Sequence, residues 1–198
     1  MISLLRLIPV LCFTCGSACG SDSWPQFRGP DGSGHSDAAG LPVHWSGSKN
    51  IRWKAELPGE GWSSPVVHEG EIWMTTATPD GKSLRALTVD LASGRLVRDA
   101  EVFANETVPP KHRRNSYASP TPVIAGDRVY VHFGSMGTAC LDRKTGSKIW
   151  ERRDIKVNHQ NGPGGSPLLF QDKLLFTCDG IDKQFEIVGK GFYKSFES

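Results

Sequence analysis

From Ser64 onward, apolar and polar residues alternate in short runs, and turn-forming residues interrupt each run. A period of two places successive side chains on opposite faces of a strand. Three segments line up: Ser64-Pro65-Val66-Val67, Thr121-Pro122-Val123-Ile124 and Ser166-Pro167-Leu168-Leu169, with prolines 57 and 45 residues apart. Each is followed by a turn and a second alternating run: Glu71-Ile72-Trp73-Met74, Arg128-Val129-Tyr130-Val131 and Lys173-Leu174-Leu175-Phe176. In the first two repeats a third strand follows. It ends in Asp90-Leu91-Ala92-Ser93-Gly94 and again, 52 residues later, in Asp142-Arg143-Lys144-Thr145-Gly146. A fourth strand leaves each turn, over residues 95–102 and 147–153.

The spacing of that turn has a physical reason. An aspartate side chain accepts backbone N–H bonds and starts the reversal, and a glycine four residues on takes the left-handed conformation that closes the loop with a bulge. Four short antiparallel strands in each repeat of this length make a propeller blade. Pro65, Pro122 and Pro167 fit the start of a strand, where a missing N–H does no harm. The predicted fold class is therefore all-β: a partial, open β-propeller of four-stranded antiparallel blades, about two and a half blades over residues 50–185. An ordinary β-sandwich would supply the strands but not three aligned anchors and two matching turns. Residues 50–56 resemble a fourth strand without the three before it, with Trp53 in the place that Trp150 takes later and Arg98 takes in the first full repeat. A closed ring needs about four blades or more. The tail 186–198 departs from the repeat, which reads as a truncated or frame-shifted product. An open wedge exposes strand edges and is expected to self-associate.

The composition narrows the class. The chain has 198 residues, 22 of them Gly and 13 Pro, with 38% hydrophobic residues, and a mean hydropathy of −0.33. It is long enough for one or two domains with a buried core. The balance of 23 Lys and Arg against 21 Asp and Glu gives no basic excess, so no nucleic-acid partner is expected. No apolar run reaches the roughly 18–20 residues of a transmembrane helix. Residues 1–20 have the three-part build of a secretory signal peptide, with Ala18-Cys19-Gly20 as the cleavage site. The chain is thus expected to be exported, to the periplasm or cell surface. Small residues around Cys19 also suit a lipid anchor, although Gly16 stands where such sites usually carry Leu. The Cys12-x-x-Cys15 pair lies in this leader and should leave with it. Cys140 and Cys178 read as buried free thiols, and the count excludes a disulfide framework. Residues 21–49 read as an irregular strap pinned by Trp24, Phe27 and Trp45.

Three stretches resemble a known family: Trp24-Pro25-Gln26-Phe27-Arg28-Gly29-Pro30, Gly61-Trp62-Ser63-Ser64-Pro65-Val66-Val67 and Cys140-Leu141-Asp142-Arg143-Lys144-Thr145-Gly146-Ser147-Lys148-Ile149-Trp150. They look like the repeats of exported bacterial PQQ-like β-propeller proteins, over about 24–185. The last is similar to the tryptophan-docking repeat of quinoprotein dehydrogenases, whose Trp wedges between neighbouring blades. Cys140 stands where Ala is usual, and the stretch 89–98 keeps Asp90 and Gly94 but lacks the Trp. The same repeat occurs in the outer-membrane β-barrel assembly lipoprotein, which binds partners without a cofactor. The resemblance therefore implies the blade and leaves the chemistry open.

Under the dehydrogenase alternative, the family implies PQQ at the propeller axis, Ca²⁺ on oxygen ligands and a carboxylate base. No residues can be assigned to those roles. Asp90 and Asp142 are explained by their turns, and Glu69, Asp127 and Asp172 by first hairpins. Of six histidines none has zinc spacing. His112, Arg114, Asn115, His159 and Asn161 lie in the two connections between blades and form a candidate binding rim for an envelope protein or a glycan; solvated linkers are the plainer alternative. His132 lies on a strand and reads as a satisfied core residue. Gly81-Lys82-Ser83 lacks the first glycine of a phosphate loop, Gly134-Ser135-Met136-Gly137 lacks the spacing of a hydrolase elbow, and Asn105-Glu106-Thr107 is a short sequon. The reading is a non-catalytic scaffold with no cofactor, set against a dehydrogenase fragment and a non-functional truncated product.

Overall fold

The computed structural model describes residues 23–177 and Gly180. The leader, Cys178 and the tail 186–198 lie outside the described residues. The strands follow the alternating runs. The first blade is β1 (Val66–His68), β2 (Glu71–Ala77), β3 (Ser83–Asp90) and β4 (Leu96–Ala104). The second is β5 (Val123–Ala125), β6 (Arg128–His132), β7 (Thr138–Asp142) and β8 (Lys148–Arg152). A hairpin of β9 (Leu168–Phe170) and β10 (Lys173–Leu175) follows. Each four-stranded sheet runs in sequence order with every pair antiparallel. The chain is an open, all-β propeller wedge, and its sheets do not close on themselves.

Alternation along the strands decides what packs where. On β6, Val129 and Val131 join Trp73, Leu84, Ala86 and Phe103 of the first blade in one buried cluster. Tyr130, between them, points the other way, to Val123, Cys140, Leu174 and Phe176. The second blade is thus sandwiched, with one face against blade one and the other against β9–β10. Leu84, Val129 and Leu174 are fully buried, and burial of each such side chain is worth about 1.5–3 kcal/mol. The outermost strands β4 and β8 are rich in charge, with Asp99 of β4 paired to Arg85 of β3 at 2.6 Å, and charge at an edge discourages further strand pairing.

Two expectations need correction. Residues 50–56 form no strand, because among the described residues no strand lies beside them to supply a ladder. The strap is held by Trp24 alone of its three aromatics. Trp24 pairs with Val67 through both backbone bonds, at 2.7 and 2.9 Å, and the next carbonyl, of Pro25, accepts from Ile124 N–H at 2.7 Å. The segment therefore bridges the innermost strands of both blades. Phe27 and Trp45 are 50% and 64% exposed and belong to neither buried cluster.

Candidate functional site

The two Asp-x-x-x-Gly turns repeat at the atomic level. Asp90 Oδ1 accepts from Ser93 N–H at 2.8 Å and from its hydroxyl, and Gly94 N–H donates to Asp90 O at 2.8 Å. Asp142 Oδ1 accepts from Thr145 N–H at 2.8 Å and from its hydroxyl at 2.9 Å, and Gly146 N–H donates to Asp142 O at 2.7 Å. These bonds hold both carboxyls below their ordinary range. Gly94 and Gly146 sit at φ +74° and +75°, where a side chain is strained.

Each turn is also a dock. The Trp53 indole lies against Gly94, and its Nε1–H donates to Leu91 O at 3.0 Å. Arg98, on β4, does the same across the blade boundary. Its side chain fills the space over Gly146, its Nη2 donates to Lys144 O at 2.7 Å, and its Nη1 donates to Thr88 Oγ1 at 2.9 Å. The guanidinium also lies 5.4 Å from the Trp73 ring. Trp150, at the matching place on β8, is half-buried beside Tyr130.

A second series runs through the residues before the prolines. Ser64 N–H donates to Thr121 Oγ1 and Thr121 N–H donates to Ser166 Oγ, both at 3.0 Å. Each blade thus hands a hydroxyl to the one before it. Pro65, Pro122 and Pro167 each immediately precede an innermost strand.

Strand direction sorts the loops. The β1–β2, β3–β4, β5–β6 and β7–β8 turns lie at one end of the blades. The β2–β3 and β6–β7 loops and both connectors, 105–122 and 153–167, lie at the other. Three of the five rim residues, His112, Asn115 and Asn161, touch there across the two connectors. Asn115 Nδ2 donates to Asn161 O at 2.7 Å and to Pro163 O at 3.1 Å, and His112 N–H donates to Asn161 O at 3.3 Å. His159 Nε2 accepts from Ser135 N–H at 3.3 Å. Arg114 is exposed, with its N–H on His112 Nδ1 at 3.2 Å. Asn115 and His112 thus tie the two connectors together, and His159 ties the second connector to the β6–β7 loop.

Beside those ties opens a cleft of about 450 Å³, between residues 105–109 and 153–158 and over the 3₁₀ turn Gly134–Met136. Its polar lining comes from Asn105, Thr107, Ser135, Arg153, Lys156 and Asn158. The sequence reading singled out none of these six for binding, although the cations of the connectors were visible in it. The sequon asparagine, Asn105, is buried. Its amide donates to Gly81 O at 3.1 Å and its carbonyl accepts from Arg153.

The other titratable residues serve the frame. His132 is buried, its Nδ1 is 2.8 Å from Thr138 Oγ1, and burial together with the nearby His159 pushes its pKa down to about 3. Burial pushes the Cys140 thiol up to about 12. Arg143 is buried between blades, 2.5 Å from Glu69 and 3.2 Å from Glu71 of the first and 3.9 Å from Asp127 of the second. Among the described residues no three of His, Cys, Asp and Glu come together as metal ligands would, and no helix is long and apolar enough to cross a membrane.

A family model described as outer membrane protein assembly factor BamB matches residues 38–166. Among solved structures, BamB from Moraxella catarrhalis is similar at 19% identity and TM-score 0.43, over 63% of this chain and 33% of that one. A europium-containing methanol dehydrogenase is similar at 18% identity and TM-score 0.40, over 59% and 20%. The quinohemoprotein alcohol dehydrogenase ADHIIG from Pseudomonas putida HK5 is similar at 18% identity and TM-score 0.43, over 65% and 18%. The chain thus spans a third or less of the length of these proteins. No curated protein matches it.

Proposed function

Because the chain belongs to the family described as outer membrane protein assembly factor BamB, we propose that it is a non-catalytic propeller-repeat scaffold of the cell envelope that holds a partner on its connector face. The supporting observation is that Asn115 and His112 join the two connectors, while His159 fixes the second connector to the β6–β7 loop, so that connectors and loop form one surface. Loops that would otherwise be mobile are thereby preorganised, which lowers the entropy lost on binding. The partner is an envelope protein or a glycan. Export through the leader, with or without a lipid on Cys19, belongs to the same reading; the mass of the mature N-terminus tests it.

The PQQ-dependent dehydrogenase has less support. It requires an oxygen-ligand set for Ca²⁺ and a carboxylate at the substrate. Asp90 and Asp142 spend their carboxylates on their own turns, so neither fits those roles. Photo-crosslinking in cells separates the readings. A crosslinker at Arg113 or Gln160 should give an adduct of defined mass, and one at Ala92, at the other end of the blades, should not. The scaffold reading fails if all three positions behave alike, or if the purified chain supplied with PQQ and Ca²⁺ reduces a dye with alcohols above the apo control.

A further inference from the structure

Resting on that reading of the connector face, we infer that the cleft between the connectors binds carboxylates of an acidic peptide segment presented by a protein partner. Arg153 carries the argument. Its Nε donates to Met136 O at 3.1 Å, its Nη1 to Ala104 O at 3.3 Å and its Nη2 to Asn105 Oδ1 at 2.5 Å. It also lies 5.0 Å from the centre of the Phe103 ring. All of these partners are neutral. The guanidinium is therefore fixed in place while its charge meets no carboxylate among the described residues. An arginine with five donors retains two N–H groups beyond those three bonds. A fork already held in one geometry loses little rotamer freedom when a carboxylate arrives.

Its surroundings point the same way. Lys156 lines the same cleft, with the Asn158 amide and the Ser135 hydroxyl as further donors. Among the described residues no acidic side chain lines it. The acid nearest in sequence, Asp154, is held by Arg152 at 2.8 and 2.9 Å. The stretches 104–116 and 153–165 carry five Lys and Arg against two acids, although the whole chain is nearly balanced. The rest of the lining favours a peptide over a glycan. Pro109, Met136 and Val157 offer apolar contact to side-chain stems, and among the described residues no aromatic face lines it on which a sugar ring could lie.

The test uses the full chain and fluorescein-labelled hexaglutamate, read by fluorescence anisotropy. Binding should be in the micromolar range and weaken as salt rises. Lys156→Gln should weaken it about 5-fold and Arg153→Gln about 10-fold or more. Lys144→Gln, at the other end of the blades, should leave it unchanged. Arg153 also ties backbone together, so R153Q is scored only if its thermal midpoint is unchanged. Asn158→Asp keeps the test sharp in either case, because it places a negative charge in the lining and should repel the probe about 5-fold. The assignment is overturned if the probe does not bind at about 1 mM, if K156Q and N158D bind as the parent does, if K144Q weakens binding equally, or if oligogalacturonate or inorganic phosphate binds more tightly than the peptide. A protein adduct at Arg113 without hexaglutamate binding refutes the cleft assignment alone. Absence of any adduct refutes the partner surface itself.

Discussion

Arg98 stands where the repeat puts tryptophan, and its side chain still docks the next turn. The end of its stem and Nε cover Gly146 while the guanidinium donates to Lys144 O, as the indole of Trp53 covers Gly94 and donates to Leu91 O. Arg98→Ala should therefore cost about 1–3 kcal/mol through the lost bond and the lost stacking on Trp73, measured by urea unfolding. Gly146→Ala should cost about 1–3 kcal/mol, because φ +75° and the overlying Arg98 both oppose a methyl group. Turn chemistry at this scale was legible: Asp90, Gly94, Asp142 and Gly146 are residues with few other uses at that spacing. The role of Arg98 was not, because a change from tryptophan to arginine alters chemical class while keeping a planar donor on a long stem. His132 makes a prediction with a definite sign. Its folded pKa of about 3 lies below its ordinary 6.5, so the unfolded chain takes up the proton first. Its contribution is intact above about pH 6.5 and declines as the pH falls toward 3. Stability between pH 6.5 and 5, above the range in which Asp90 and Asp142 titrate, should fall less steeply in His132→Gln than in the parent.

Strands take their places through backbone groups that meet hydroxyls and charges of the neighbouring blade. Thr121→Val leaves the Ser64 N–H unpaired in a partly buried position, a loss of about 1–3 kcal/mol. Thr121→Ser should restore most of it, and urea midpoints of the two variants decide the point. The aligned prolines marked where each innermost strand begins, and the sequence was informative there because proline fixes both φ and a missing donor. It did not reveal that Thr121 and Ser166, before the second and third prolines, hand their hydroxyls across a boundary, since their partners are 57 and 45 residues away. Nor did it reveal that 50–56 stays out of any sheet, because a strand-like pattern forms a strand only beside another. Arg143 joins the hairpin acids of both blades from a buried position. Arg143→Met should cost about 1–3 kcal/mol, and part of that loss should vanish at high salt, since Glu69 is 64% exposed.

The molecule as a whole is a stack of sheets that meet through flat faces, and the stack gives the connector face its shape. The blade faces were readable because period-two alternation assigns each side chain to one face or the other. The cleft was not, because it forms only when loops from two blades and a 3₁₀ turn converge. Stacking brings Phe103, near the end of β4, against Phe133, just after β6, with ring centres 6.0 Å apart and planes at 84°. Edge-to-face rings contribute about 0.5–1.5 kcal/mol beyond the area they bury. A double-mutant cycle with Phe103→Leu and Phe133→Leu, followed by urea unfolding, measures that coupling directly. Blades packed face to face predict a favourable coupling of about 0.5–1.5 kcal/mol between the two positions. Additivity within about 0.3 kcal/mol would mean that the two sheets do not stack, and the shared connector surface would go with them.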